Sequence, residues 1–162
     1  YARSRGVNIV IARPFPHTGP GQAEGFFVSD MASQIARLEK SEKDSTLFVG
    51  NTDAVRDYLD VRDVVKAYRV LLEHESRPGE IYNICSSQKY TIQELLDKLV
   101  AQAKCTITVT HDPKRMRSSS VPISIGDNTK LTKNTGWQPS ISIDTTLKDA
   151  LDFWRDQISK KA

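Results

Sequence analysis

The stretch Val7 to Gln22, VNIVIARPFPHTGPGQ, decides how the chain is read. Val7, Ile9, Val10 and Ile11 form an apolar run with no alternation, the pattern of a parallel strand covered on both faces. Pro14 and Pro16 each lack a backbone donor, so the ladder is expected to end near Arg13, and Thr18-Gly19-Pro20-Gly21 reads as a loop. In an open α/β sheet, ligands bind beyond the carboxyl ends of the strands, which puts His17 and Thr18 where a ligand would lie.

Upstream, Tyr1 to Gly6 reads as the last turn of a helix closed by a glycine, so the expectation is of a piece of a longer chain. Downstream, Phe27, Met31, Ile35 and Leu38 recur at helical spacing within Gly25 to Lys40, with charge gathering from Arg37 to Lys43. A strand at Thr46 to Val49 is stopped by Gly50-Asn51, and Arg56 to Leu59 is brief and extended. Asp60 is a natural N-cap with Asp63 three residues on, and capping is the reading for both carboxylates. The helix they open carries Val61, Val64, Val65, Tyr68, Leu71 and Leu72 on one stripe. A strand at Glu80 to Cys85 is followed by a capping box, Thr91 with Glu94, opening a helix through Val100. Cys105 to Thr110 alternates like a strand. Asp127 caps a short helix ended by Gly136, Trp137-Gln138-Pro139 turns the chain, and a final helix from near Asp144 buries Leu147, Leu151, Trp154 and Ile158. Strand and helix keep alternating, so the class is α/β.

The net charge is +3 with both signs interspersed, which argues against a nucleic-acid-binding face. No run approaches the length of a membrane span. Three scattered histidines, among them His74 near a helix end and His111 in a loop, and two distant cysteines give no metal-ligand spacing. Cys85 and Cys105 both read as reduced residues at strand ends, and a cytoplasmic setting is the expectation.

The segment ARPFPHTGPGQ resembles the one that follows the catalytic Tyr-x-x-x-Lys helix in extended short-chain dehydrogenases/reductases acting on nucleotide sugars. The likeness is to the branch of GDP-mannose 4,6-dehydratases and GDP-6-deoxy-4-keto-mannose reductases. It runs from Tyr1 to about Trp154 through four motifs: the opening loop, Arg56 to Asp63, Lys114 to Pro122, and Gly126 to Pro139. The resemblance implies a terminal portion of a Rossmann-type parallel sheet with a smaller α/β substrate-binding domain, here as the single fragment 1–162. It implies that Pro14, Phe15 and His17 lie at the nicotinamide of NAD or NADP. It implies that Pro16, Phe27, Val28, Arg56, Arg117 and Ser120 face a GDP-linked sugar, with the two arginines clamping the diphosphate, where a guanidinium fork suits paired oxygens. Pro16 stands where the family usually has Asn, which removes a side-chain amide from the sugar. Ser118 and Ser120 stand where related reductases have Pro and an acid, so a two-oxygen acceptor becomes one hydroxyl.

The glycine-rich dinucleotide fingerprint and the Tyr-x-x-x-Lys pair do not occur in these residues, since Arg5 follows Tyr1 at four residues. The dinucleotide-binding half is therefore expected to be absent, and the chain alone is expected to bind no cofactor and to be inactive. Reduction of a GDP-4-keto-6-deoxy-mannose is the activity the resemblance implies for the parent enzyme, as a homodimer or higher oligomer. A 4,6-dehydratase, a 4-epimerase and a noncatalytic nucleotide-sugar-binding module are the alternatives.

Overall fold

A computed structural model of the chain describes residues 2–41, 45–74, 78–116 and 121–160. In chain order the elements are α1 (Ala2–Arg5), β1 (Ile11–Pro14), β2 (His17–Thr18), α2 (Phe27–Leu38), β3 (Thr46–Val49), β4 (Val55–Arg56), β5 (Leu59–Asp60) and α3 (Val61–Glu73). They continue with β6 (Ile81–Ile84), β7 (Tyr90–Thr91), α4 (Ile92–Val100), β8 (Thr108–His111), β9 (Ile123–Ser124), α5 (Thr129–Thr135) and α6 (Ile143–Ser159). A single 3-10 turn, Pro113–Arg115, follows β8.

The helix ends are set by local chemistry. Gly6 and Gly136 close α1 and α5 with φ of 63° and 74°, a left-handed conformation that only glycine adopts without steric cost. Thr91 and Glu94 form the expected reciprocal capping box on α4. Ser142 caps α6; the N-cap of α5 is Asn128 rather than the expected Asp127, and Asp127, one residue earlier, accepts from Thr129 N at 2.8 Å.

Pairing is mostly parallel. β1 runs beside β6 with Ile11 opposite Ile81, β2 beside β5, and β3 beside β8; β4 lies between an antiparallel β7 and a parallel β9. Two hydrophobic clusters result. The larger is built from α2, α4, α6 and β3, with Ile35, Leu47, Leu95, Leu96, Leu99, Leu147 and Leu151 all inaccessible to solvent. The smaller lies under β1 and β6 and gathers Leu59, Val64, Ala67, Leu71, Tyr82, Ile84, Leu131 and Trp137.

The first strand differs from its expectation. It starts at Ile11 rather than Val7, reaches Pro14, and alternates between exposed and half-buried positions instead of being covered on both faces. Its one ladder partner among the described residues is β6, so one edge is open and Val7 is 46% exposed. The stripe on α3 also divides. Val64, Ala67 and Leu71 face the core, whereas Val65, Tyr68 and Leu72 point outward, because six apolar positions cover a wider arc than one packing face can bury. β8 begins three residues later than the alternation of Cys105 to Thr110 suggested, where Thr108 N finds Ser45 O at 2.9 Å.

Two carboxylates join the clusters. Asp60 caps α3 through Arg62 N, takes the Arg62 guanidinium, and accepts from Thr146 of α6 at 2.8 Å. Asp63 does not cap. Its side chain is fully buried and accepts from Ser140 N, Ser140 Oγ and Ile141 N, each at 2.8 Å, so it fastens the turn that leads into α6. The helix dipole is a weaker attraction than three direct donors, which is why the tertiary partners win. Burial opposes ionisation of Asp63, but the bonds from Ile141 and Ser140 outweigh it and hold the carboxyl below its ordinary range. A third carboxylate, Asp57, is also fully buried and accepts from Ser86 N, Ser86 Oγ, Ser87 N and Gly126 N at 2.6–3.2 Å.

Candidate nucleotide-binding cleft

The loop after β1 is tied to the start of α2 by its own side chains. Thr18 Oγ1 donates to Gln22 Oε1 at 2.7 Å, Gln22 Nε2 donates to His17 O, and Ser29 Oγ donates to Gln22 O at 2.6 Å. Gly25, at φ 103°, turns the chain, and its N–H is taken by Asp30 at 2.6 Å. Phe26 occupies the N-cap of α2, and its side chain offers no capping acceptor to the first turn.

Facing α2 is a wall made by β3 and the 3-10 turn. Gly50 lets the two approach, since a Cβ there would lie 2.3 Å from Arg115 O. Arg115 donates to Phe48 O at 3.1 Å and lies 3.6 Å from Asp112, while Asp112 caps the turn through Lys114 N. Between helix and wall is a cleft of about 670 Å³, within the usual range for small-molecule sites. From α2 it is lined by Phe27, Asp30, Gln34 and Arg37, from the wall by Phe48, Asn51, Lys114 and Arg115, and from the preceding loop by Glu24. Cations, carboxylates and two aromatic rings thus face one space.

The residues singled out in the sequence are distributed as follows. Phe27 lines the cleft; the Val28 side chain is in the core, so only its backbone can reach a ligand. Arg56 does not line the cleft, and its Nη1 donates to Val55 O and Pro122 O at 2.7 and 3.3 Å, anchoring the chain just after residues 117–120. Arg117 and Ser120 lie outside the described residues. Pro14 ends β1, Phe15 N donates to Ile84 O, and Pro16 O accepts from Leu59 N. His17 Nδ1 donates to Phe15 O at 2.9 Å, which fixes the tautomer, and lines a separate cleft of about 300 Å³ with Val61.

For a nicotinamide dinucleotide the fit is to one end. The Phe15 carbonyl keeps a second lone pair for a carboxamide N–H, but no glycine-rich strand-to-helix turn for a pyrophosphate occurs in the sequence. Among the described residues no group of His, Cys, Asp and Glu is placed to hold a metal ion, and no helix is long and apolar enough to cross a membrane. Cys85 is buried against Gly126, and burial above all pushes its thiol up to about 11, which disfavours the reactive thiolate.

Sequence reasoning missed Glu24, Arg37 and Phe48. Asp30, Gln34 and Arg37 recur at i, i+4 and i+7, a polar stripe opposite Met31, Ile35 and Leu38, but such a stripe also marks any solvated helix face. Only the opposing wall makes it a site.

Comparison with known proteins assigns this architecture. The family model described as GDP-mannose 4,6 dehydratase matches residues 1–150. The chain is 37% identical over 158 residues to a GDP-6-deoxy-D-mannose reductase of Pseudomonas aeruginosa, covering 98% of this chain and 52% of that protein. It superposes on RMD from Pseudomonas aeruginosa, solved in complex with NADPH, with a TM-score of 0.89 and 36% identity over 96% of this chain and 51% of that one. A UDP-glucuronic acid 4-epimerase from Bacillus cereus, solved with UDP-glucuronic acid and NAD, shares the fold at a TM-score of 0.82 and 20% identity, over 97% of this chain and 48% of that one. The chain spans about half the length of the relatives it matches. It belongs to the GDP-mannose 4,6 dehydratase family, within the NAD-dependent epimerase/dehydratase group of extended short-chain dehydrogenases/reductases.

Proposed function

We propose that this chain is the nucleotide-sugar-binding part of an NAD(P)-dependent GDP-sugar oxidoreductase whose complete form reduces a GDP-4-keto-6-deoxy-mannose. The observation that carries this reading is the 37% identity to a GDP-6-deoxy-D-mannose reductase across nearly the whole chain. The cleft supports it chemically. The open N-terminal turn of α2, at Phe27 and Val28, offers N–H groups and the positive end of a helix dipole to a diphosphate. Lys114 adds a cation from the facing wall. Nicotinamide bound to the complete enzyme supplies the hydride; the role of these residues is to hold the GDP and orient the sugar toward His17 and the loop after β1. A 4,6-dehydratase is the second reading, favoured by the description of the matching family model.

Two measurements test the proposal. In the complete enzyme carrying this chain, a GDP-4-keto-6-deoxy-hexose should drive loss of NADPH absorbance, whereas the 162 residues alone should give none. Dehydration of GDP-mannose without net cofactor consumption would favour the second reading instead. In the complete enzyme, Arg117→Ala should weaken GDP binding about tenfold or more, the cost of one charge-assisted bond, and Arg56→Ala, whose guanidinium anchors Val55 O and Pro122 O, should weaken it by less. Arg115→Ala serves as the control, because its guanidinium is engaged on Phe48 O. A loss from Arg115→Ala equal to that from Arg117→Ala would show a diffuse positive field rather than a specific contact.

A further inference from the structure

Gly126 does not take a left-handed φ, so its missing Cβ serves space and not backbone conformation. A Cβ there would lie 2.4 Å from Cys85 Sγ, 2.6 Å from Cys85 Cβ and 3.0 Å from Cε2 of Phe15. Three segments far apart in sequence thus close over one bare Cα: the turn after β9, the end of β6 and the loop after β1. The first two are tied to each other. Asp57 Oδ2 accepts from Gly126 N at 3.2 Å and from Ser87 N at 2.9 Å, and Asn128 Nδ2 donates to Cys85 O at 2.9 Å. Cys85 is fully buried, and its Cβ moves only with its backbone, whereas Phe15 is half-buried and has room to yield.

Bulk added at position 126 therefore reaches Phe15 by either route. It presses on the ring directly, or it shifts the end of β6, where Ile84 O accepts from Phe15 N at 2.9 Å. The backbone of Phe15 has little freedom to absorb the push, because Pro14 and Pro16 hold their own φ near about −65° and a residue before proline is confined to extended conformations. The Phe15 carbonyl, which accepts from His17 Nδ1 at 2.9 Å, moves with that backbone. We infer that Gly126, held by Asp57, is a positioning residue for the nicotinamide end of the complete enzyme: its bare Cα lets the Phe15 ring and Cys85 close over one point, and that joint sets where the Phe15 carbonyl meets a carboxamide N–H. This inference rests on the reading that the loop after β1 carries the nicotinamide.

The test is calorimetric titration of the complete enzyme carrying this chain with NADPH or NADH, whichever the unmodified protein binds, and with the matching ADP-ribose compound that lacks the nicotinamide. Gly126→Ala should weaken the dinucleotide about fivefold, the loss of one neutral hydrogen bond, and leave the ADP-ribose compound unchanged. Gly126→Ala/Cys85→Gly removes both atoms within 2.6 Å of the added methyl and should recover most of the loss. Should Gly126→Ala not fold, Asp57→Asn takes its place. Each Asp57 oxygen is taken by two donors, so an amide at either position faces donors, loosens the joint without added bulk, and should weaken the dinucleotide selectively by a smaller factor. A loss shared equally by both probes, or one that persists in the Cys85→Gly background, would overturn the inference. If the folded variant binds both probes as the unmodified protein does while His17→Ala weakens the dinucleotide, Gly126 has no positioning role and the loop reading survives. If neither variant changes dinucleotide binding, the loop reading falls with the inference.

Discussion

The two hydrophobic clusters solve the same problem to different degrees. In the larger, α2, α4 and α6 turn their apolar faces on one another and on β3, and even the charged Glu39 and Arg155 are drawn in as a forked pair at 2.6 and 2.8 Å, capped by Gln102 O and Lys104 N. In the smaller, the inward side of α3 is packed on β1 and β6, but Val65 and Leu72 are 59% and 88% exposed, with Ile11 and Ile81 beside an open strand edge. One cluster is packed between three helices and a strand; the other has a finished face and an unfinished one. The contrast teaches that burial in this molecule follows tertiary partners, not the apolar content of each element.

The largest expected effect breaks that contrast directly. Leu96→Ala or Leu151→Ala, each fully buried in the larger cluster, should lower unfolding free energy by about 2–5 kcal/mol in urea titrations. Leu72→Ala removes the same atoms from solvent exposure and should change it by less than about 0.5 kcal/mol. Equal losses at the two places would abolish the distinction.

The joint between the clusters comes next. Asp63→Ala leaves the Ser140 and Ile141 donors without their acceptor in a buried turn and should cost roughly 3 kcal/mol, while Asp63→Asn should cost less because one acceptor oxygen remains. The same carboxylate sets a pH dependence. Its folded pKa is lowered, so the stability it contributes is complete above the ordinary carboxylate value of about 3.9 and is lost as pH falls through the lower folded value. Asp60, also lowered, acts in the same direction: burial opposes its charge, and Arg62 and Thr146 overcome it. Acid titration of the wild-type chain followed by circular dichroism should therefore show a steeper loss below about pH 4 than Asp63→Asn does.

The smallest effect sharpens the contrast without touching stability. The outward face of α3 and the open edge of β1 should make the chain self-associate at high concentration. Leu72→Lys should reduce that association in light scattering with no change in the urea midpoint, and a monodisperse monomer for the unmodified chain would contradict the expectation.

How much was legible in the sequence follows the same division. Gly6, Gly136 and the Thr91–Glu94 box were readable because each acts on residues no more than a turn away. The α/β class and most helix positions were readable from periodicity. What could not be read were pairings between distant segments: β3 with β8, Asp63 with Ser140, and the wall that Arg115 and Gly50 raise opposite α2. Nor does a strand's composition say whether its cover belongs to the same chain, and Val7 to Ile11 looked buried for that reason. The candidate cleft was half visible: Phe27 came from the resemblance, while Glu24 and Arg37 looked like ordinary surface charge until the facing wall was in place.

Asp57 carries this dependence on distance into time. Its four donors come from residues 29, 30 and 69 positions away, so the carboxylate is satisfied only after three separate lengths of chain have been brought together. Closing such loops costs entropy before any bond repays it, which places the contacts late on the folding route. Asp57→Asn should accordingly speed unfolding in stopped-flow measurements while leaving the refolding rate nearly unchanged, making this side chain a latch on the lifetime of the native state rather than a seed of its formation.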